Sequence, residues 1–180
     1  MKPRLLLHAC CGPCAAPVVE RLGREYEVTA LFYGPNIHPE DEYGRRLEAM
    51  RVLARTMGTK LIEGRYDVEE WRARVRGYEG EPEGGARCTV CHRLRLEETA
   101  RQAKEGGYDC FASALTVGPK KSAEAINGIG AELSGEYGLW YIAEDFKKRD
   151  GFKRSLEMSR ALGLYRQGYC GCMYSLGRRV

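Results

Sequence analysis

Short apolar runs recur along this chain, each ending in a loop and followed by a stretch of helical length. "RLLLHA" (residues 4–9) is the first run, and "EVTALFY" (27–33), β-branched and aromatic, is the second. The segment between them has Pro17 near its start and Gly23 at its end, the usual asymmetry of helix termini, so the three pieces predict a β-α-β unit. Pro39 opens a helix that runs to about Met57 and closes at Gly58, and "KLIEG" (60–64) predicts a third strand. Asp67 and Glu70 resemble a capping box for a helix around Trp71. "GYEGEPEGGAR" (77–87) reads as a flexible loop that delivers a Cys-x-x-Cys pair onto the head of a helix reaching Glu105. "CFASAL" (110–115) predicts the fourth strand, residues 122–137 a helix with interior glycines, and "LWYIA" (139–143) the fifth strand.

Strands alternating with helices predict an α/β protein: a five-stranded parallel sheet with helices on both faces, joined by right-handed crossovers. Ligands of such sheets sit at the carboxyl ends of the strands, near the point where strand order reverses. A cysteine loop after the first strand, "GPNIHP" (34–39) after the second and "TVGPKKS" (116–122) after the fourth all open on that edge. No internal repeat, low-complexity tract or second domain is visible, so residues 1–180 read as one domain. The last segment, "LYRQGYCGCMYSLGRR" (164–179), must fold back if its thiols are to meet the others.

A chain of 180 residues can bury a core without metal or disulfide staples. Its eight cysteines therefore need another explanation, and in a secreted protein they would form a disulfide framework. Export is not expected: Lys2, Pro3 and Arg4 precede an apolar run that stops at Leu7 before His8, too short for a signal sequence. No stretch approaches the roughly 20 apolar residues of a membrane span. The expectation is a cytoplasmic protein with no membrane partner. In that compartment clustered cysteines more often bind metal or do redox chemistry than form permanent disulfides. The net charge of +4 says little alone, but residues 146–180 hold nine Lys and Arg against two acids. That basic C-terminal segment predicts a polyanionic partner, RNA above all, although a solvated helix face explains the same charges.

The cysteines fall into Cys10-Cys11-x-x-Cys14, Cys88-x-x-Cys91 and Cys170-x-Cys172, with Cys110 apart at the start of an apolar strand and expected simply to be buried. Two of the three loops lead into predicted helix N-termini, where partial positive charge favours thiolate over thiol. Four thiolates can hold a 4Fe-4S cluster without a fixed spacing, and structural zinc is the main alternative. Cys11-Gly12-Pro13-Cys14 also matches the dithiol of thioredoxin, so disulfide exchange through Cys11 and Cys14 is a further alternative. Against it, Cys10 stands where a thioredoxin has tryptophan, and the motif follows the first strand. Cys170 and Cys172, one residue apart, could close only a small strained disulfide, which makes them a redox-active pair or ligands of a second metal. His38 is a catalytic or a turn-capping histidine, and His92 is expected on a solvated helix face. Lys120 and Lys121 flank free amides at a predicted helix start, where a phosphate could bind. Tyr165, Arg166 and Gln167, with Tyr169, combine the aromatic, basic and amide groups that stacking on an unpaired base requires.

Taken in order, "LLLHACCGPC", "FYGPNIHPEDEYGRR", "ARCTVCHRLRL", "TVGPKKSAEAINGIG", "EDFKKRDGFKRS" and "LYRQGYCGCMYS" resemble the epoxyqueuosine reductases of the QueH family. The likeness covers nearly the whole chain, and YRQ-x-YCGC is its most specific part. It implies a cytoplasmic oxidoreductase that turns the epoxide of epoxyqueuosine, at the tRNA wobble position, into the alkene of queuosine with loss of water. Its partners would be a tRNA anticodon loop carrying epoxyqueuosine and an electron donor that the sequence does not identify. The resemblance also implies a nucleotide-hydrolase-like (HUP, Rossmann-like) sheet in which "ACCGPC" replaces the Ser-Gly-Gly pyrophosphate loop, so that a metal site stands where ATP would bind. On this basis Cys10, Cys11, Cys88 and Cys91 are the ligands of a 4Fe-4S cluster. Cys14 is then free for an additional mononuclear iron, and Cys170 and Cys172 supply the second electron or bind that iron. Tyr33, His38 and Asp145 are the candidate proton donors. The non-catalytic rival is a zinc-stabilised tRNA-binding module.

Overall fold

Leu5, Leu6 and Leu7 are completely enclosed because they run through the middle of a sheet that is covered on both faces. A computed structural model of the protein describes residues 1–176. Its five strands are β1 (Arg4–Ala9), β2 (Glu27–Phe32), β3 (Lys60–Glu63), β4 (Cys110–Ser113) and β5 (Trp140–Tyr141). They are all parallel, in the order β3-β2-β1-β4-β5. Side chains alternate across a strand, so Leu5 and Leu7 enter one layer and Leu6 the other.

The first layer is closed by α1 (Gly12–Leu22), α2 (Glu40–Met57) and α6 (Gly151–Ala161), through Val18, Val19, Met50, Leu53 and Met158. The second is closed by α4 (Ala86–Glu105) and α5 (Ala123–Tyr137), through Leu96, Ala100, Ile126, Ile129 and Leu133. Each fully buried leucine contributes about 1.5–3 kcal/mol of transfer free energy. A short helix α3 (Val68–Arg74) and a terminal turn of helix α7 (Met173–Leu176) complete the described chain. Among the described residues no helix is long and apolar enough to cross a membrane.

Three boundaries differ from the sequence reading. Helix α1 starts at Gly12, directly after the cysteine pair, so Pro17 lies inside it rather than at its head. Strand β4 ends at Ser113, whose hydroxyl accepts the Leu115 amide (3.2 Å) and turns Ala114–Val117 into a 3-10 helix. Strand β5 keeps only two residues, Trp140 and Tyr141, paired with Cys110 and Phe111 of β4. The predicted cap holds: Asp67 Oδ1 accepts the Glu70 amide at 3.0 Å and starts α3. Arg178 and Arg179 of the basic C-terminal segment lie outside the described residues.

Candidate functional site

Strand order reverses between β1 and β4, and the chain leaves β1 there through Ala9, Cys10 and Cys11. Two adjoining cavities occupy this edge. One is lined by Cys10, Cys11, Cys14, Arg46, Gln167 and Cys170, the other by Asn36, Arg87, Cys88, Cys91, His92 and Cys172. Arg95, Lys121 and Cys170 border both. The seven loop thiols thus gather at one sheet edge, from the β1 loop, the head of α4 and the C-terminal segment. All eight cysteines are free thiols, and among the described residues no three metal-ligating side chains converge on a single point.

The C-terminal thiols arrive by a fold-back whose anchors are on α2. Glu42 and Arg46, one turn apart, are both buried and pair at 2.7 Å. Arg46 then donates to the carbonyls of Tyr169 (2.9 Å) and Cys170 (3.1 Å), while the Tyr165 hydroxyl donates to Glu42 at 2.6 Å. The His38 amide donates to the Gly171 carbonyl (2.8 Å), and the Tyr169 hydroxyl donates to the His38 carbonyl. At the head of α4, the Trp71 indole donates to Cys91 Sγ (3.3 Å) and the Gly84 amide to Cys88 Sγ (3.2 Å).

The thiols are not equivalent. Cys170 is held well below the usual thiol range: the Cys172 thiol donates to it, and Lys121, the Ser175 hydroxyl (3.3 Å) and the Cys172 amide (3.4 Å) add to that effect. Cys172 correspondingly keeps its proton. Cys10 is pushed up by its hydrogen bond with Cys11 and by burial, and Cys91 by burial. The Cys10 hydrogen bond favours a Cys11 thiolate, but the bond with Cys14 and burial outweigh it, and Cys11 is pushed up to about 12. An exchanging dithiol needs an accessible, low-pKa attacking thiol, and Cys11 is buried with a high one. The thioredoxin-like reading therefore loses its chemical basis here.

Of the other predicted residues, Lys121 and Gln167 line the cavities, and Gln167 Oε1 is buried without a partner among the described residues. Lys120 is exposed and outside both linings. Tyr165 is committed to Glu42, and Arg166 turns away to the Ser155 carbonyl (3.3 Å) and the Ser159 hydroxyl (2.9 Å). Tyr33 is buried among Leu6, Leu31 and Leu96, its hydroxyl pushed up by desolvation, and lines neither cavity. Asp145 is held by the Lys147 ammonium (3.0 Å), also outside them. His38 donates Nδ1–H to the Asn36 carbonyl (2.8 Å) and is turned against Trp71, with burial lowering its pKa. In that tautomer Nε2 carries a lone pair, not a proton.

His92 is not on a solvated face: it is buried, lines the cavity, and is kept neutral by burial and by Arg95. Cys110 is buried as expected, its thiol facing the Arg4 carbonyl at 3.8 Å, at the amino end of β4 away from the site. Sequence reasoning passed over Arg46, Arg87 and Arg95. Their signal was spacing: Arg95 follows Cys91 by one helical turn, Arg46 follows Glu42 by one, and Arg87 immediately precedes Cys88.

Fold and site together define a doubly wound α/β protein whose switch point is lined by thiols and buried cations instead of a glycine-rich phosphate loop. Its sequence matches the family described as "Epoxyqueuosine reductase QueH" over residues 5–178. The chain belongs to that family of oxidoreductases. Relatives described as epoxyqueuosine reductase QueH include one from Streptococcus pyogenes serotype M1, 41% identical over 97% of this chain and 71% of its own length. Another, from Staphylococcus epidermidis, is 40% identical over 97% of this chain and 76% of its own. One from Thermotoga maritima is 34% identical over 97% of this chain and 91% of its own. Among solved structures, one described as a predicted subunit of tRNA methyltransferase from Methanocaldococcus jannaschii superposes with a TM-score of 0.51 at 18% identity. It covers 89% of this chain and 74% of that one, a likeness of fold alone.

Proposed function

We propose that this chain reduces the epoxide of epoxyqueuosine at the wobble position of a tRNA to the alkene of queuosine, releasing water, with a 4Fe-4S cluster held among its loop thiols. One observation about charge carries the cofactor part of this reading. Arg87 and Arg95 are buried at the thiol cavities, and among the described residues neither pairs with a carboxylate. Removing a charge from water without a counter-charge costs several kcal/mol. The single Cys170 thiolate offsets only part of that cost, whereas a set of iron-bound thiolates would offset it fully, so the donor set and its surroundings fit a metal–sulfur centre.

Cys10, Cys11, Cys88 and Cys91 are the assigned cluster ligands, and Arg95 lies in the field of both Cys10 and Cys91. Cys14, hydrogen-bonded to Cys11, is available to a mononuclear iron. Cys170 and Cys172 stand beside both groups as the redox pair or as ligands of that iron. A bound cluster would supply electrons singly, drawn from a separate reductant. The reaction consumes two electrons and two protons, and the protonated groups that face the thiols are the Lys121 ammonium and the Cys172 thiol. They replace Tyr33, His38 and Asp145 as the proton sources we favour. Gln167, whose buried carbonyl has no partner among the described residues, would accept from the bound nucleoside. We place the reaction in the cytoplasm, with its tRNA.

The deciding experiment is anaerobic purification with iron, zinc and acid-labile sulfide analysis, followed by single-turnover reduction of epoxyqueuosine in tRNA. Brown protein with the stoichiometry of a 4Fe-4S cluster, active after chemical reduction, is the expected result. Colourless protein that contains zinc and turns over nothing overturns it.

A further inference from the structure

We propose that Arg87 sets the reduction potential of the iron–sulfur centre by presenting a fixed pair of N–H donors to its sulfurs; the proposal rests on the iron–sulfur reading above. Arg87 is the second residue of α4, immediately before Cys88, and is only 1% exposed. Its Nη1 is fully committed: it donates to the carbonyls of Tyr78 (3.1 Å), Glu79 (3.0 Å) and Glu81. The Tyr174 ring stacks on the guanidinium, 5.1 Å from its central carbon. These contacts fix the plane and the rotation of the group before anything binds.

The remaining two nitrogens, Nε and Nη2, are buried and have no partner among the described residues. They lie on one edge of the planar guanidinium, the edge that donates two parallel hydrogen bonds. The cavity that Arg87 borders is also lined by Cys88, Cys91, Cys170 and Cys172. Two buried donors without an acceptor are costly, and an electron-rich sulfur centre would satisfy both. Hydrogen bonds and positive charge at cluster sulfurs favour the reduced, more negative state and so raise the reduction potential. Arg87 is thus a positioning and tuning residue, which need not touch the substrate.

The test loads full-length protein anaerobically with iron and sulfide, checks occupancy per chain, and measures the midpoint potential by a redox titration followed by visible absorption and EPR. At equal occupancy Arg87→Lys, which keeps the charge but loses the fork, is expected to shift to lower potential, and Arg87→Gln further still. Loaded Arg87 variants with the wild-type potential overturn the proposal. So does an unchanged potential with a tenfold higher KM for epoxyqueuosine tRNA, which would make Arg87 a substrate receptor. Should both variants fail to load because the Nη1 anchor is lost, Tyr174→Leu decides: it frees the guanidinium plane while leaving the three carbonyl bonds. A lower potential in that variant supports the proposal, and an unchanged one overturns it. Wild-type protein that takes up no iron and sulfide overturns the parent reading and this one with it, whereas loaded protein with unshifted variants overturns this one alone.

Discussion

His8, buried in β1, shows how one side chain is held in a single protonation state. Its Nε2–H donates to the Tyr33 carbonyl (3.0 Å), and Nδ1 accepts from the Ser113 hydroxyl (3.1 Å), so the ring ties β1 to the chain leaving β2 and to β4. Burial, then Arg95, lowers its pKa to about 3. The unfolded chain takes up this proton near pH 6.5, but the folded protein does not until about pH 3. Stability present above pH 6.5 is therefore lost as the pH falls through that window, by about 1.4 kcal/mol per unit. His38 and His92 shift in the same direction. In metal-free protein, His8→Gln is expected to flatten the slope of unfolding free energy against pH by about 1.4 kcal/mol per unit between about pH 6 and pH 4. Denaturant titrations across that range measure it, and an unaltered slope would show that His8 already carries a proton in the fold. The Cys170–Cys172 pair gives a second residue-scale expectation. Cys170→Ser and Cys172→Ser should keep the visible chromophore of loaded protein and abolish turnover; normal single-turnover rates would make the pair purely structural.

Among the elements, the C-terminal segment depends most on one backbone position. Gly171 has φ +107°, and a Cβ there would sit 3.0 Å from Ile37 Cγ1 and 3.2 Å from Ile37 Cα. Gly171→Ala therefore adds strain of about 1–3 kcal/mol to a segment held by a handful of hydrogen bonds. Cleavage within residues 164–176 by a dilute protease should accelerate roughly tenfold or more, because 1.4 kcal/mol is a factor of ten in an opening equilibrium. A wild-type cleavage rate would mean that the segment is seated by something other than this turn. Arg46→Met tests the same docking from α2. It takes from buried Glu42 the nearer of its two guanidinium partners and leaves Arg45 at 3.1 Å, at a cost of about 1.5–3 kcal/mol in unfolding free energy. The double variant with Glu42→Leu should recover much of that loss, as chemical denaturation would report.

On the scale of the whole molecule, the predicted basic segment is only partly free. Lys147 is tied to Asp145 and Arg154 to Glu20 and Glu157, while Lys148 and Arg149 are exposed and lack a carboxylate partner among the described residues. If tRNA lies along this surface, reversing Lys148 and Arg149 should reduce the slope of log affinity against log salt by about 1.4, roughly 0.7 per phosphate of a single-stranded loop. The weakening should be alike for different tRNAs, since phosphate contacts position without specifying. Filter binding over a salt series measures both, and an untouched slope would place the RNA elsewhere.

The linear pattern was enough for the parallel five-stranded sheet, the edge on which the cysteine loops open, the Asp67 cap and the burial of Cys110. These follow from period, turn residues and local hydrogen bonding, which act over a few residues and leave their mark in the order of the chain. The same locality explains the misplaced ends. Ser113 closes β4 through its own side chain, and β5 keeps only the two residues that pair with β4. What separates the thiols was not legible. Cys170 and Cys172 lie two positions apart in sequence and differ oppositely in protonation, because Lys121, Ser175 and each other's sulfur reach them through the fold. Arg46 supports a segment more than a hundred residues away, and Arg95 reaches from Cys91 to Cys10. Charge acts through space and burial depends on every packed layer, so only the tertiary structure decides which cations the thiols face and which of them keep a proton.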